Sequence, residues 1–254
     1  MKISDIARGS GRIVYKVSID NRSFAIKISS RLKCSIREHR LLRMKLGIPA
    51  PESYFCIPVN SETNLIFEEW IDGQLGNPSM PHILEWVSLL KSIHSIRAKS
   101  IIAVDLKREI QLKYLQLEAS KYETVQTFGK RFHKLFFNGL DTIKDGAYLI
   151  GTLLHGDFHP GNLIQTTNNQ WIAIDWERWK TGSPYFDLSD LVRGVRGGPD
   201  VAKDILYSYQ NSNENLDFFN SFCILKSLHV LSWKLSSSNY DIKTDLAILN
   251  SWIT

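Results

Sequence analysis

His155-Gly156-Asp157-Phe158-His159-Pro160-Gly161-Asn162, followed by Ile174-Asp175-Trp176-Glu177, is the stretch around which the rest of the chain is arranged. A carboxylate at 157 is followed five positions on by a carboxamide at 162, and thirteen positions later by a second carboxylate at 175. Extended sequence flanks all three: Thr152 to His155 before, Leu163-Ile164 after, and Trp171 to Ile174 leading into Asp175, with Asn168-Asn169 marking a tight hairpin. Either signal alone is ordinary, because a D-x-x-x-x-N spacing recurs by chance and Pro160-Gly161 is a common turn. The information lies in the order of parts: strand, loop, strand, turn, strand, carboxylate.

Two acids and an amide in this order suit phosphoryl transfer. ATP brings clustered negative charge, so moving its γ-phosphoryl group is mostly a matter of positioning and charge neutralisation by magnesium. A kinase catalytic loop separates its Asp and Asn by four residues, as Asp157 and Asn162 are separated here. Magnesium takes oxygen ligands, which Asn162 and Asp175 offer.

These two motifs resemble those of the aminoglycoside phosphotransferase and choline kinase family, small-molecule kinases of protein-kinase-like fold. The resemblance implies Asp157 as the catalytic aspartate, Asn162 and Asp175 as metal ligands, and ATP with Mg2+ as cofactors. It implies no particular acceptor.

Further matches to that order of parts lie upstream. Lys2 to Ala7 is expected as a first strand, then Arg8-Gly9-Ser10-Gly11-Arg12 as a small-residue turn before the alternating run Ile13 to Ile19. Glycines there would let backbone N–H groups approach phosphates, although a Gly-Ser-Gly turn is more often a plain hairpin and the third glycine of G-x-G-x-x-G is replaced by Val14. After the turn signal Asp20-Asn21, Ser23 to Ile28 reads as a strand carrying Lys27 among apolar neighbours. Such a lysine is either an edge-strand residue facing solvent or the phosphate-binding lysine of a kinase. Cys34 to Leu46 has helical character and stops at Gly47, with Pro49 beyond. Glu38 shares a face with Leu41 and Leu42, so its carboxylate turns inward and fits the ion pair that fixes the phosphate-binding lysine. Glu52 to Pro58 and Leu65 to Trp70 complete a five-stranded, one-helix lobe, and Phe67 to Gly73 resembles the family's adenine-binding hinge. By that match the Glu69 carbonyl and the Ile71 amide contact the base.

From Asn77 the sequence turns helical. Ser79 and Pro81 introduce a helix with Ile83, Val87, Leu90 and His94 on one face; Asp105 to Tyr122 is a second, and residues 126 to 145 are ambiguous between helix and loop. Beyond Asp175 only twelve residues lead to Asp187, too few for a protein-kinase activation segment, and no Ala-Pro-Glu follows. A protein substrate is therefore disfavoured. Asp187 is expected to cap the helix Leu188 to Gly194, and helices follow from Pro199, over Leu216 to Ser236 and over Ile242 to Trp252. His94, His133 and His229 are isolated and expected to be structural or surface residues. Trp176, Trp179, Trp233 and Trp252 are core candidates that also suit a cationic ligand, and Glu177, Asp190, Asp241 and Asp245 are acids available to one.

Composition agrees with a globular chain, 43% hydrophobic and 22% charged. Three cysteines without C-x-x-C spacing indicate neither disulfides nor a zinc site. The net charge of +5 gathers in residues 1 to 73, which carry twelve Lys/Arg against eight Asp/Glu, whereas the remainder carries nineteen against eighteen. Charge thus accumulates where a nucleotide would sit, and the absence of basic blocks interleaved with aromatics argues against nucleic acid. With no membrane-length apolar run, a cytoplasmic protein is expected.

The whole specifies an α+β, bilobal protein-kinase-like fold, with residues 1 to 73 as nucleotide lobe and 74 to 254 as helical lobe. The expected activity is ATP- and Mg-dependent O-phosphorylation of a small-molecule hydroxyl, foremost an aminoglycoside or other antibiotic, by a monomer or weak dimer with neither nucleic-acid nor membrane partner. Choline, a sugar or another metabolite is the alternative acceptor, and a nucleotide-binding pseudokinase the alternative class. The site is expected at Asp157, Asn162, Asp175, Lys27 and Glu38, with Gly9, Ser10 and Gly11 over the nucleotide and Glu69 and Ile71 at the base.

Overall fold

A computed structural model describes residues 2–9, 12–20, 22–29, 32–44, 46–78, 82–96, 106–141, 152–237 and 242–253. It divides into two compact units. The first comprises residues 1–76, 155–157 and 161–179; the second comprises 77–154, 158–160 and 180–254.

The first unit is built on an antiparallel sheet of β1 (Lys2–Gly9), β2 (Arg12–Ile19), β3 (Arg22–Ser29), β4 (Ser53–Pro58) and β5 (Asn64–Glu69), in the order β1-β2-β3-β5-β4. Strand alternation decides what this sheet buries. On β3 the buried positions are Ala25, Lys27 and Ser29, and on β5 they are Asn64, Ile66 and Glu68. Lys27 lies opposite Ile66 and Ala25 opposite Glu68, so these side chains share one face. Most of the face is polar, which costs free energy unless each group finds a partner. Helix α1 (Leu32–Arg43) packs on β4 and β5. A second, three-stranded sheet in the same unit joins β6 (Gly73–Leu75), β8 (Leu163–Thr166) and β9 (Trp171–Ala173) in the order β6-β8-β9. Its β8–β9 hairpin closes through Asn169, which adopts φ 59° and donates its N–H to the Thr166 carbonyl. A Cβ on Gly73 would come within 2.2 Å of the Gln165 carbonyl oxygen, so this short edge pairing requires glycine.

The second unit is helical: α2 (Ile83–His94), α3 (Leu106–Glu118), α4 (Glu123–Asp141), α5 (Tyr185–Gly194), α6 (Pro199–Gln210), α7 (Leu216–Ser236) and α8 (Lys243–Asn250). Strand β7 (Thr152–Leu154) pairs with β10 (Lys180–Gly182) beside them. Helix α4 occupies much of the stretch whose character the sequence leaves open. Its buried Phe128, Phe132, Phe136 and Leu140 repeat every four residues, which is one face of a helix. It packs on α7 at Gly139, where an added Cβ would meet the Asp217 carbonyl oxygen at 2.4 Å. Across from it Tyr114 of α3 stacks on Phe136 with ring centroids 3.8 Å apart and donates its hydroxyl to the Gly129 carbonyl. Among the described residues no helix is long and apolar enough to cross a membrane.

Candidate active site

Lys27 is buried in the polar face of the first sheet and is not the solvent-facing edge lysine that the sequence also allows. Its Nζ lies 3.4 Å from Oε1 of Glu38 and 2.5 Å from Oε2 of Glu68. Glu38 reaches it from α1, fully buried beside Leu41. The same Glu38 Oε1 accepts a second hydrogen bond, 2.9 Å long, from the backbone N–H of Trp176. One carboxylate therefore ties the lysine of β3 to the residue that follows Asp175, with Glu38 and Trp176 themselves 138 positions apart in the chain. A buried charged cluster of this kind persists only with such multiple bonding.

The segment from His155 to Asn162 is organised from within. His155, wholly buried, contacts the Ile174 carbonyl through Nε2 at 2.9 Å, and its Nδ1 accepts the N–H of Asp157 at 3.3 Å. With Nδ1 accepting, the hydrogen-bond network assigns the ring proton to Nε2. Gly156 between them has φ +84°, and a Cβ there would fall 2.1 Å from the Arg178 carbonyl oxygen. Asn162 donates its Nδ2 to the Asp157 carbonyl at 2.9 Å, and its own carbonyl accepts the N–H of Ile174 at 2.9 Å. These bonds link His155, Asp157, Asn162 and Ile174, the residue before Asp175. Asp175 itself takes the left-handed conformation, φ 65° and ψ 59°, at the entrance to a 3-10 turn over Trp176–Arg178. A non-glycine residue in that region carries strain, of a kind found where a side chain must be aimed. Arg178 lies within 3.8 Å of the Asp157 carboxylate.

The expected hinge runs from the end of β5 through Trp70 to Asp72 into β6. Glu69 pairs with Phe24 at the end of β5, and Ile71 lies in the irregular stretch. Asp72 accepts hydrogen bonds from Lys16 Nζ at 3.0 Å and Trp70 Nε1 at 2.8 Å, and these, the lysine first, hold its carboxyl below the usual range.

Several expectations need correction. Gly9 belongs to β1 and pairs with Arg12 and so is a strand residue, not a turn residue; Ser10 and Gly11 lie outside the described residues, as do Ser79, Pro81, Asp105, Asp241 and the side chain of Cys34. Asp187 does not cap α5. Pro184 holds the cap position, and Asp187 sits in the first turn, fully buried, 3.1 Å from His94 Nε2. The other nitrogen of His94 meets the Tyr209 hydroxyl at 2.8 Å, so this histidine joins α2, α5 and α6 within the second unit. Burial and the nearby Asp187 push the Tyr209 phenol up to about 12. Trp176 and Trp252 are buried core residues and not walls for a ligand. Of the acids available to a cation, Asp245 already receives Arg193 and Lys234, and Asp190 receives Lys226.

Two participants escape the sequence reading. Glu68 was legible only as part of a hinge, although alternation along β5 places it with Ile66 on the Lys27 face. Arg178 carries no motif at all.

A model of the phosphotransferase enzyme family matches residues 2–219. The chain belongs to this family. No curated protein matches it in sequence. Among solved structures this family member is similar to a thermostable mutant of aminoglycoside phosphotransferase APH(4)-Ia in ternary complex with AMP-PNP and hygromycin B, with a TM-score of 0.73 at 13% identity over 98% of this chain and 94% of that one. It is also similar to APH(2'')-IIIa in complex with GDP and kanamycin, with a TM-score of 0.72, 13% identity and coverage of 98% and 92%. The choline kinase LicA from Streptococcus pneumoniae gives 0.67, 16% identity and coverage of 99% and 94%. At these identities the likeness establishes the fold: the kinase-like phosphotransferase architecture, with a small antiparallel-sheet lobe and a helical lobe.

Proposed function

We propose that the chain transfers the γ-phosphoryl group of ATP to a hydroxyl of a small molecule. The observation that carries this reading is the Glu38 carboxylate, which bonds Lys27 and the backbone beside Asp175 at once. A phosphate-gripping cation and a metal-binding acid held to a common anchor are what a nucleotide–metal complex needs. Lys27 contacts the phosphates, Glu38 aligns it, Gly9, Ser10 and Gly11 cover the nucleotide, and the Glu69 carbonyl and Ile71 amide meet the base. Residues 1–73 form the nucleotide lobe and 74–254 the helical lobe.

Asp157 orients the acceptor hydroxyl and takes its proton as the oxygen bonds to the γ-phosphorus and the β–γ bridging bond breaks, releasing ADP. Arg178, near that carboxylate, steadies its charge between turnovers. The donor set fits magnesium: Asn162 has committed its Nδ2 to Asp157, which leaves the carbonyl Oδ1 as its metal-binding atom, and Asp175 adds a carboxylate. Magnesium so held supplies charge neutralisation for the phosphates.

For the acceptor, an aminoglycoside or another antibiotic is the first class to screen, since two structurally similar proteins were crystallised with hygromycin B and kanamycin. Choline-like alcohols and sugars come next, in view of the choline kinase. A cytoplasmic setting follows from an ATP-dependent reaction. The test is a screen of hydroxyl compounds with ATP and Mg2+, scored by mass spectrometry for phosphate addition, with Asp157→Ala in parallel. Phosphate addition that depends on Asp157 is the expected outcome. Failure to turn over any acceptor, with ATP still bound, would instead favour a pseudokinase.

A further inference from the structure

Within the second unit, α3, α5, α7 and β10 line a pocket of about 330 Å³ whose walls include Lys113, Lys180, Phe186, Phe222, Lys226 and His229.

The lining of the second-unit pocket is lopsided in charge. Three lysines and a histidine contribute to it, and no acid does. Asp190, buried behind the wall, is bonded to Lys226 at 2.5 Å. Lys180 Nζ stands 4.0 Å and Lys113 Nζ 5.5 Å from the centroid of the Phe186 ring, so two ammonium groups converge on one aromatic ring. Like charges brought this close repel, and a ring quadrupole offsets only part of that cost. Lys180 is exposed as a residue, yet its ammonium end is desolvated against Phe186; that burial first, and the charge of Lys113 second, lower its pKa. Phe222 and Leu225 supply an apolar wall beside the cations.

We propose that this pocket binds a small organic anion, in which a carboxylate or phosphate group meets Lys113 and Lys180 while an aromatic or aliphatic body lies against Phe186 and Phe222. The inference stands on the pocket alone and does not depend on the phosphotransferase reading. A polycation would meet like charge here.

The test is calorimetric titration of the full chain with benzoate, phenyl phosphate, benzyl alcohol and benzylamine. At least one of the two anions is expected to bind tenfold or more tightly than benzyl alcohol, with benzylamine weakest; which anion wins distinguishes a carboxylate from a phosphate ligand. Lys113→Gln and Lys180→Gln are each expected to weaken the anion three- to tenfold without moving the unfolding temperature, while the exposed Lys203→Gln changes nothing. Lys226 is left intact because Asp190 depends on it. Equal affinity for benzoate, phenyl phosphate and benzyl alcohol would overturn the proposal. So would anion binding that Mg-ATP displaces completely and that neither pocket variant weakens, because the anion would then occupy the nucleotide site.

Discussion

Lys27, Glu38 and Glu68 form a buried cluster of one cation and two carboxylates, each at most 7% exposed, so its formal charge is −1. Two substitutions act on that charge in opposite senses. Lys27→Met leaves two carboxylates in a site that water does not reach, and removing one partner from a buried ion pair costs about 3–5 kcal/mol. At about 2–4 °C per kcal/mol for a chain of this size, the melting temperature should fall by roughly 6–20 °C. Glu68→Gln instead makes the cluster neutral and keeps an oxygen that can accept from Lys27, so stability should stay within about 1 kcal/mol of the parent. The nucleotide should separate the two as well. The ammonium leans toward Glu68, at 2.5 Å against 3.4 Å for Glu38, and with that charge gone it can close on Glu38 and offer more of its field to a phosphate. Mg-ATP affinity is therefore expected to hold or tighten about threefold in Glu68→Gln and to drop more than tenfold in Lys27→Met, with each pair interaction worth a few kcal/mol at these distances. Urea unfolding followed by circular dichroism, with calorimetric ATP titration, measures both. If Glu68→Gln proves as destabilising as Lys27→Met, the charge argument fails and Glu68 is held for another reason.

Three further outcomes follow from the site and the pocket. Asp157→Ala should lower kcat by about 10²–10⁴ with whichever hydroxyl compound the screen returns, while ATP affinity stays within about twofold in a coupled ADP-release assay. Gly156→Ala, at φ +84° with the Arg178 carbonyl oxygen 2.1 Å from the new Cβ, should cost about 1–3 kcal/mol in thermal unfolding, and more than Gly47→Ala, where φ is +70° but no atom lies within 4 Å. Because the Lys180 pKa is lowered, a larger fraction of its amine is neutral at any given pH; an amine acylating reagent at pH 8 should label it faster than the exposed Lys203, as read by peptide mass spectrometry, and benzoate should protect it.

Much of this fold can be read from the chain because its signals are local. The loop from His155 to Asn162 and the β8–β9 hairpin are set by turn residues a few positions apart, and Asn169 at φ 59° is the kind of residue such a turn demands. Glu38 was legible because helical periodicity alone turns it inward with Leu41. What stayed hidden depends on tertiary partners. Asp187 looks like a helix cap until His94, 93 positions away, is seen to hold it inside the first turn. β6 and β10 are three residues each, too short for a period to show, and exist because β8 and β7 supply their hydrogen bonds. Glu68 passed for a hinge residue because its role requires a sheet register joining β3 to β5.

Charge shows the same division between what a count reveals and what packing decides. Residues 74 to 254 carry nineteen basic against eighteen acidic side chains, a near-neutral balance that by itself leaves the acceptor's charge undetermined. Folding sorts those charges. Asp190 and Asp245 are drawn into ion pairs with Lys226, Arg193 and Lys234, which removes them from service to a cationic ligand, while Lys113 and Lys180 are brought together over Phe186. A polycationic aminoglycoside needs carboxylates arrayed along its binding surface. Of the four acids that the sequence offers for this, two are committed elsewhere and Glu177 is buried. An acceptor screen that returned only polyamine sugars would therefore require those ion pairs to open on binding, which Asp245→Asn would expose: losing Arg193 and Lys234 as partners should destabilise the free protein, yet aminoglycoside affinity should fall in proportion only if Asp245 is a true ligand.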